Sequence, residues 1–155
     1  IWTAPENMVA MAEVVATALK GIVPDGVLKR RFNQFKQDMI DLHQAAKSRL
    51  KNYTGKSFYV FHPSWGYFAD AYGLRQVAIE VQGKEPSPQD LARLVREAKA
   101  HGIKVIVVQQ QFSRRAAQTI AQQVGAKVVA VDPLASDYPK MVMQMIAVLE
   151  GALAE

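Results

Sequence analysis

Residues 104–131 read KVIVVQQQFSRRAAQTIAQQVGAKVVAV, two short β-rich runs at 104–108 and 127–131 enclosing a helical stretch. In that stretch Ala116, Ala117, Ile120, Ala121 and Val124 recur at helical spacing and form one apolar stripe. Neither β-rich run alternates polar with apolar residues, which is the pattern of strands covered by helices on both faces. A strand, a helix and a second strand joined in so few residues make a crossover unit, and crossovers connect parallel strands with right-handed chirality. Gly125 stands where the helix must stop before the second strand, a common position for a helix C-cap.

The same alternation extends towards the amino terminus. The runs SFYVFH at 57–62 and RQVAIEV at 75–81 are two further candidate strands. Helical stretches are expected at about 64–72, 88–101 and 113–124, with a last helix from about Tyr138. Leu91, Leu94, Val95 and Ala98 give the second of these its stripe, Gly102 closes it, and Ser87 and Ser113 are suitable N-caps. The expected fold is therefore α/β, a four-stranded parallel sheet flanked by helices. Two helices precede it. Pro5 and Glu6 open the first, at about 5–20, and Gly21 and Pro24 end it. The second runs to about residue 51 and carries Leu28, Phe32, Phe35, Met39, Leu42, Ala46 and Leu50 as a stripe that should pack along a core, making it the longest element.

Composition narrows the function classes. The chain has 155 residues, half of them hydrophobic, and a formal net charge of +5, enough for one domain with a real core. It has no cysteine, which excludes thiolate metal sites and thiol nucleophiles. No apolar run approaches the roughly 18 residues of a membrane span, and the opening does not read as a signal peptide. The positive charge is local: residues 20–56 hold nine Lys or Arg against three Asp. Most of these cations lie off the apolar stripe and read as a solvated face. Phe32 and Phe35 lie in the stripe, so nucleic-acid binding should be weak and without sequence preference.

Ligands of open α/β sheets bind beyond the carboxyl ends of the strands. The residues found there are His62, Glu80, Gln109, Gln110, Gln111 and Asp132. The turns HPSWG, QGKEP, QQQFS and DPLAS lack the glycines of a phosphate loop, so nucleotide binding is not expected. Ser64 lies two residues after His62, but no nucleophile elbow or triad pattern accompanies it. His62 and Asp132 offer a nitrogen and a carboxylate suited to a divalent transition metal such as zinc or manganese. On the residues alone, a His at a strand end is more often a loop-anchoring partner, and an Asp before Pro more often a turn residue. His43 reads as a surface residue of the basic helix, and His101 as a cap on free helix carbonyls.

The stretches FHPSWGYFADAYGL (61–74), EVQGKEPSPQDLARLV (80–95) and VIVVQQQFSRRAAQTIAQQVGAKVVAVDPLASDY (105–138) resemble the carboxyl-terminal half of periplasmic zinc-binding proteins of the ZnuA type. These are the solute-binding subunits of metal-importing ABC transporters. The opening IWTAPENMVAMAEVVATAL resembles the family segment that follows an Asp-Pro-His triplet, so the likeness covers essentially the whole chain.

The resemblance implies two α/β lobes joined by a long helix, with the metal between them. Residues 1–155 would be a single carboxyl-terminal lobe, with the connector helix at about 27–51. It implies His62 and Asp132 as metal ligands. Pro63 stands where the family usually has Asp, which changes the turn and retains the imidazole. It further implies a non-enzymatic carrier, periplasmic or extracytoplasmic and lipid-anchored, that takes zinc to a membrane permease. Zinc is favoured because imidazole suits it better than harder ions; manganese or iron uptake is the alternative within the family. The amino-terminal lobe and the Asp-Pro-His imidazole are not in this sequence, so a half-site that holds zinc weakly is expected, in what reads as a truncated chain. Outside the family, the alternative is a flavodoxin-like interaction or enzyme domain in which His62 and Asp132 are structural.

Overall fold

A computed structural model describes residues 1–80, 84–111 and 114–154. Helix α1 (Pro5–Ala18) and the 26-residue α2 (Asp25–Leu50) lead through a 3-10 turn into β1 (Ser57–Val60), and the rest alternates as α3 (Gly66–Ala71), β2 (Arg75–Ala78), α4 (Pro88–Ala100), β3 (Val105–Val108), α5 (Arg115–Val124), β4 (Lys127–Ala130) and α6 (Tyr138–Leu153). All three strand pairings are parallel, in the order β2-β1-β3-β4. The expected α/β class and four-stranded parallel sheet are present, and α2 is the longest element.

Period-two alternation assigns the two faces of the sheet. Phe58, Val60, Val105 and Val107 join the core beneath α2, α3 and α6, whereas Tyr59, Ile106 and Val108 join the core beneath α4 and α5. Every residue of β3 is buried, as its unbroken apolar run predicts. The matching expectation for β4 needs correction. Lys127 is exposed and Val128 to Ala130 are only half-buried, because β4 has a neighbour on one side only and its outer edge faces solvent.

Helix α2 also departs from a uniformly packed stripe. Met39, Leu42, Ala46 and Leu50 are buried, while Leu28, Phe32 and Phe35 are half-buried. The first half of α2 overhangs the sheet and has α1 as its neighbour. At its other end Arg49 Nε donates to Glu150 Oε1 at 2.9 Å, tying α2 to α6. That bond holds the Glu150 carboxyl below its usual range.

Local caps follow the sequence. Gly125 has φ +72° at the end of α5, and the φ of +59° at Gly102 ends α4. Ser87 and Asp90 form a capping box: Ser87 Oγ accepts from Asp90 N at 3.2 Å, and Asp90 Oδ2 accepts from Ser87 N at 3.3 Å. Ser87→Ala is expected to lower stability by about 1 kcal/mol, read as an earlier urea midpoint with an unchanged slope. The other expected cap, Ser113, lies outside the described residues, as do Gln82 and Gly83 of the QGKEP turn. No helix among the described residues is long and apolar enough to cross a membrane.

Candidate metal centre

Strand order decides which loops meet. β1 and β4 both border β3, with Val60 opposite Val107 and Val108 opposite Ala130. The ladder continues one step past each strand, because Phe61 N donates to Val107 O at 3.0 Å and Val131 N to Val108 O at 3.0 Å. His62, Gln109 and Asp132 therefore leave the same carboxyl edge from three adjacent strands. With strands about 4.8 Å apart, the backbones at His62 and Asp132 stand roughly 10 Å from each other, a span that an imidazole and a carboxylate can bridge through one ion.

His62 is held firmly. Its side chain is 42% exposed, and its Nδ1 lies 2.9 Å from Oε1 of Glu80, whose side chain is only 7% exposed. Glu80 arrives there by register: Glu80 N donates to Phe61 O at 3.1 Å, extending the β1–β2 ladder past its last paired residues. After His62, Pro63 forces a tight turn in which Ser64 N donates to the His62 carbonyl at 2.8 Å.

Asp132 is half-buried, and its Oδ1 accepts from Leu134 N at 3.0 Å, an Asx turn at the DPLAS corner. Gln111 Nε2 lies 3.4 Å from the same oxygen, at the outer limit of a hydrogen bond. Gln109 is 4% exposed and donates to Ser64 Oγ, so the middle strand braces the turn after His62. Ser64 Oγ in turn donates to the His62 carbonyl at 3.3 Å, which leaves it bonded to backbone and Gln109 rather than paired with the imidazole ring.

Sequence reasoning missed two residues at this edge. Trp2 Nε1 donates to Pro133 O at 2.8 Å, and Thr3 Oγ1 donates to Ser64 O at 3.1 Å. The segment before α1 is thus stitched to the loop after Asp132 and to the loop after His62. Contacts spanning 131 and 61 residues leave no local signal.

His43 is a correction. Its side chain is only 17% exposed, its Nε2 pairs with Glu6 Oε1 at 2.8 Å, and its ring stacks on Tyr72 at 5.5 Å between centroids. It links α1, α2 and α3 because it sits beside the stripe, one residue after Leu42. His101 caps α4 as expected, its Nδ1 lying 2.8 Å from the Glu97 carbonyl. Among the described residues, no three His, Asp or Glu side chains gather closely enough to hold a metal ion.

The family model described as the periplasmic zinc-uptake complex component A, ZnuA, matches residues 1–152. The chain belongs to the ZnuA family. It is 31% identical to the high-affinity zinc uptake system protein ZnuA of Bacillus subtilis over 140 residues, which cover 86% of this chain and 43% of that protein. A crystal structure of ZnuA superposes with a TM-score of 0.94 at 33% identity, covering 99% of this chain and 59% of that one. A zinc-bound ZnuA deletion mutant gives a TM-score of 0.90 at 32% identity, with coverages of 98% and 59%. The chain spans less than half the length of the ZnuA proteins from Bacillus subtilis and Haemophilus influenzae. Family membership sets aside the unrelated flavodoxin-like alternative, since the family is one of periplasmic uptake components.

Proposed function

We propose that this chain is the carboxyl-terminal lobe of an extracytoplasmic zinc carrier, in which His62 and Asp132 supply two ligands to an ion held against a second lobe. The carrier delivers its cargo to the membrane permease of an ABC transporter, and catalyses no reaction. The observation that carries this reading is the strand order: in a chain of the ZnuA family it brings His62 and Asp132 to one edge with a single strand between them. Zinc needs three or four protein ligands, so one or two more must come from elsewhere or be replaced by water.

Two features support a second lobe. Met8, Met11, Val15, Leu19, Leu28 and Phe32 line an apolar groove between α1 and the overhanging half of α2, and Val15 is 56% exposed. Contiguous exposed apolar surface of this kind marks an interaction face. Separately, Trp2 and Thr3 are pinned at the edge that holds His62 and Asp132, so a residue joined ahead of Ile1 would stand beside them. An imidazole there would add a third ligand. The connector role belongs to α2, lipid anchoring outside the cytoplasm fits such a carrier, and the basic face of α2 needs no nucleic-acid partner.

Zinc is the cargo because His62 presents imidazole, which suits zinc better than manganese or iron(II). Calorimetric titration of this 155-residue chain with zinc is expected to show weak binding, with manganese weaker still. Tight one-to-one zinc binding by the chain alone would show that a complete site lies elsewhere within it.

A further inference from the structure

Glu80 is an ionisable side chain placed where burial is costly, and only one of its oxygens is engaged. Oε1 meets His62 Nδ1 at 2.9 Å, while Oε2 is buried with no hydrogen-bond partner among the described residues. A buried carboxylate is tolerated when it is paired, and an unsatisfied oxygen calls for a reason. The backbone supplies the means: the bond from Glu80 N to Phe61 O fixes residue 80 beside residue 62 independently of either side chain.

We propose that Glu80 is a positioning residue for the zinc site, selecting the tautomer of His62 that presents Nε2 to the ion. The proposal rests on His62 being a zinc ligand. A neutral imidazole has one N–H and one lone pair, and a carboxylate accepts without donating, so the hydrogen sits on Nδ1 and the lone pair on Nε2. Isolated imidazole side chains favour the opposite tautomer, so the pairing prepares the ring for metal rather than preserving its solution preference. A divalent cation on Nε2 strengthens the Nδ1–H donor and offsets the cost of burying the Glu80 charge. This couples zinc to a residue that never touches it.

The test is nitrogen NMR of His62 in the ¹⁵N-histidine-labelled chain, before and during titration with zinc sulfate, for wild type, Glu80→Ala and Glu80→Gln. Wild type is expected to carry its hydrogen on Nδ1 and to shift at Nε2 as zinc binds. Glu80→Ala should move the hydrogen to Nε2 and weaken zinc binding by roughly 10- to 100-fold. Glu80→Gln keeps an acceptor oxygen in the same volume and should restore most of both properties, and the readout that a merely space-filling role at position 80 would not move is the position of the hydrogen on the His62 ring. A wild-type hydrogen on Nε2 would overturn the proposal. So would zinc bound through His62 with an affinity indifferent to Glu80→Ala, while leaving the zinc site itself intact. Zinc that leaves His62 unshifted in all three forms would instead overturn the site and the proposal together.

Discussion

His62→Ala, made in a protein carrying this lobe together with its partner lobe, is expected to abolish high-affinity zinc binding. The loss should exceed the roughly 10- to 100-fold cost of removing a ligand's hydrogen-bonding partner. In the proposed site alanine removes one imidazole of three or four ligands, and no neighbouring nitrogen donor among the described residues can take its place. Asp132→Ala should be milder, because water can replace a carboxylate oxygen on zinc, and because Oδ1 already serves the turn at Leu134. His43→Ala provides the contrast. It should cost stability through Glu6 and Tyr72 and leave zinc affinity unchanged.

Leu50→Ala should cost about 2–5 kcal/mol, against total stabilities of about 5–15 kcal/mol for domains of this kind. Leu50 is 0% exposed at the end of α2, inside the cluster that includes Phe58, Met145 and Leu149, where a cavity cannot collapse. Phe32→Ala, eighteen positions earlier on the same stripe, should cost about 1 kcal/mol or less in this chain, since its surroundings are half open. If a second lobe covers the groove, the Phe32→Ala cost should rise towards the roughly 3–5 kcal/mol of a buried Phe in the two-lobed protein. Urea denaturation of each variant in both settings reads the difference directly. An equal Phe32→Ala cost in both would remove the groove as an interlobe face.

The sheet was legible in sequence because each strand is a short β-rich run followed by a helix with its own stripe and cap. Ser87, Gly102 and Gly125 act as local rules require. The candidate positions were legible through a topological rule, since ligands of parallel sheets bind beyond the carboxyl ends of the strands, and His62, Glu80, Gln109 and Asp132 all stand there. Burial was less legible. The run 127–131 matches the run 104–108 in apolar content, and only strand order makes β4 an edge. Along α2, Phe32 and Met39 occupy equivalent positions of one stripe, and the overhang beyond the sheet separates their fates. The Glu80–His62 pair was also hidden, because a register shared by two strands, rather than any spacing along one, brings residues 62 and 80 together.

The most direct measurement is a crystal structure of the two-lobed protein with zinc, with the ion located by anomalous scattering at the zinc edge. The expected result is a single strong peak about 2 Å from His62 Nε2, with Asp132 the nearest carboxylate of this lobe and Glu80 bonded to Nδ1 behind the ring. A peak coordinated without His62, or bonded to its Nδ1, would contradict the site proposed at the carboxyl edge of the sheet.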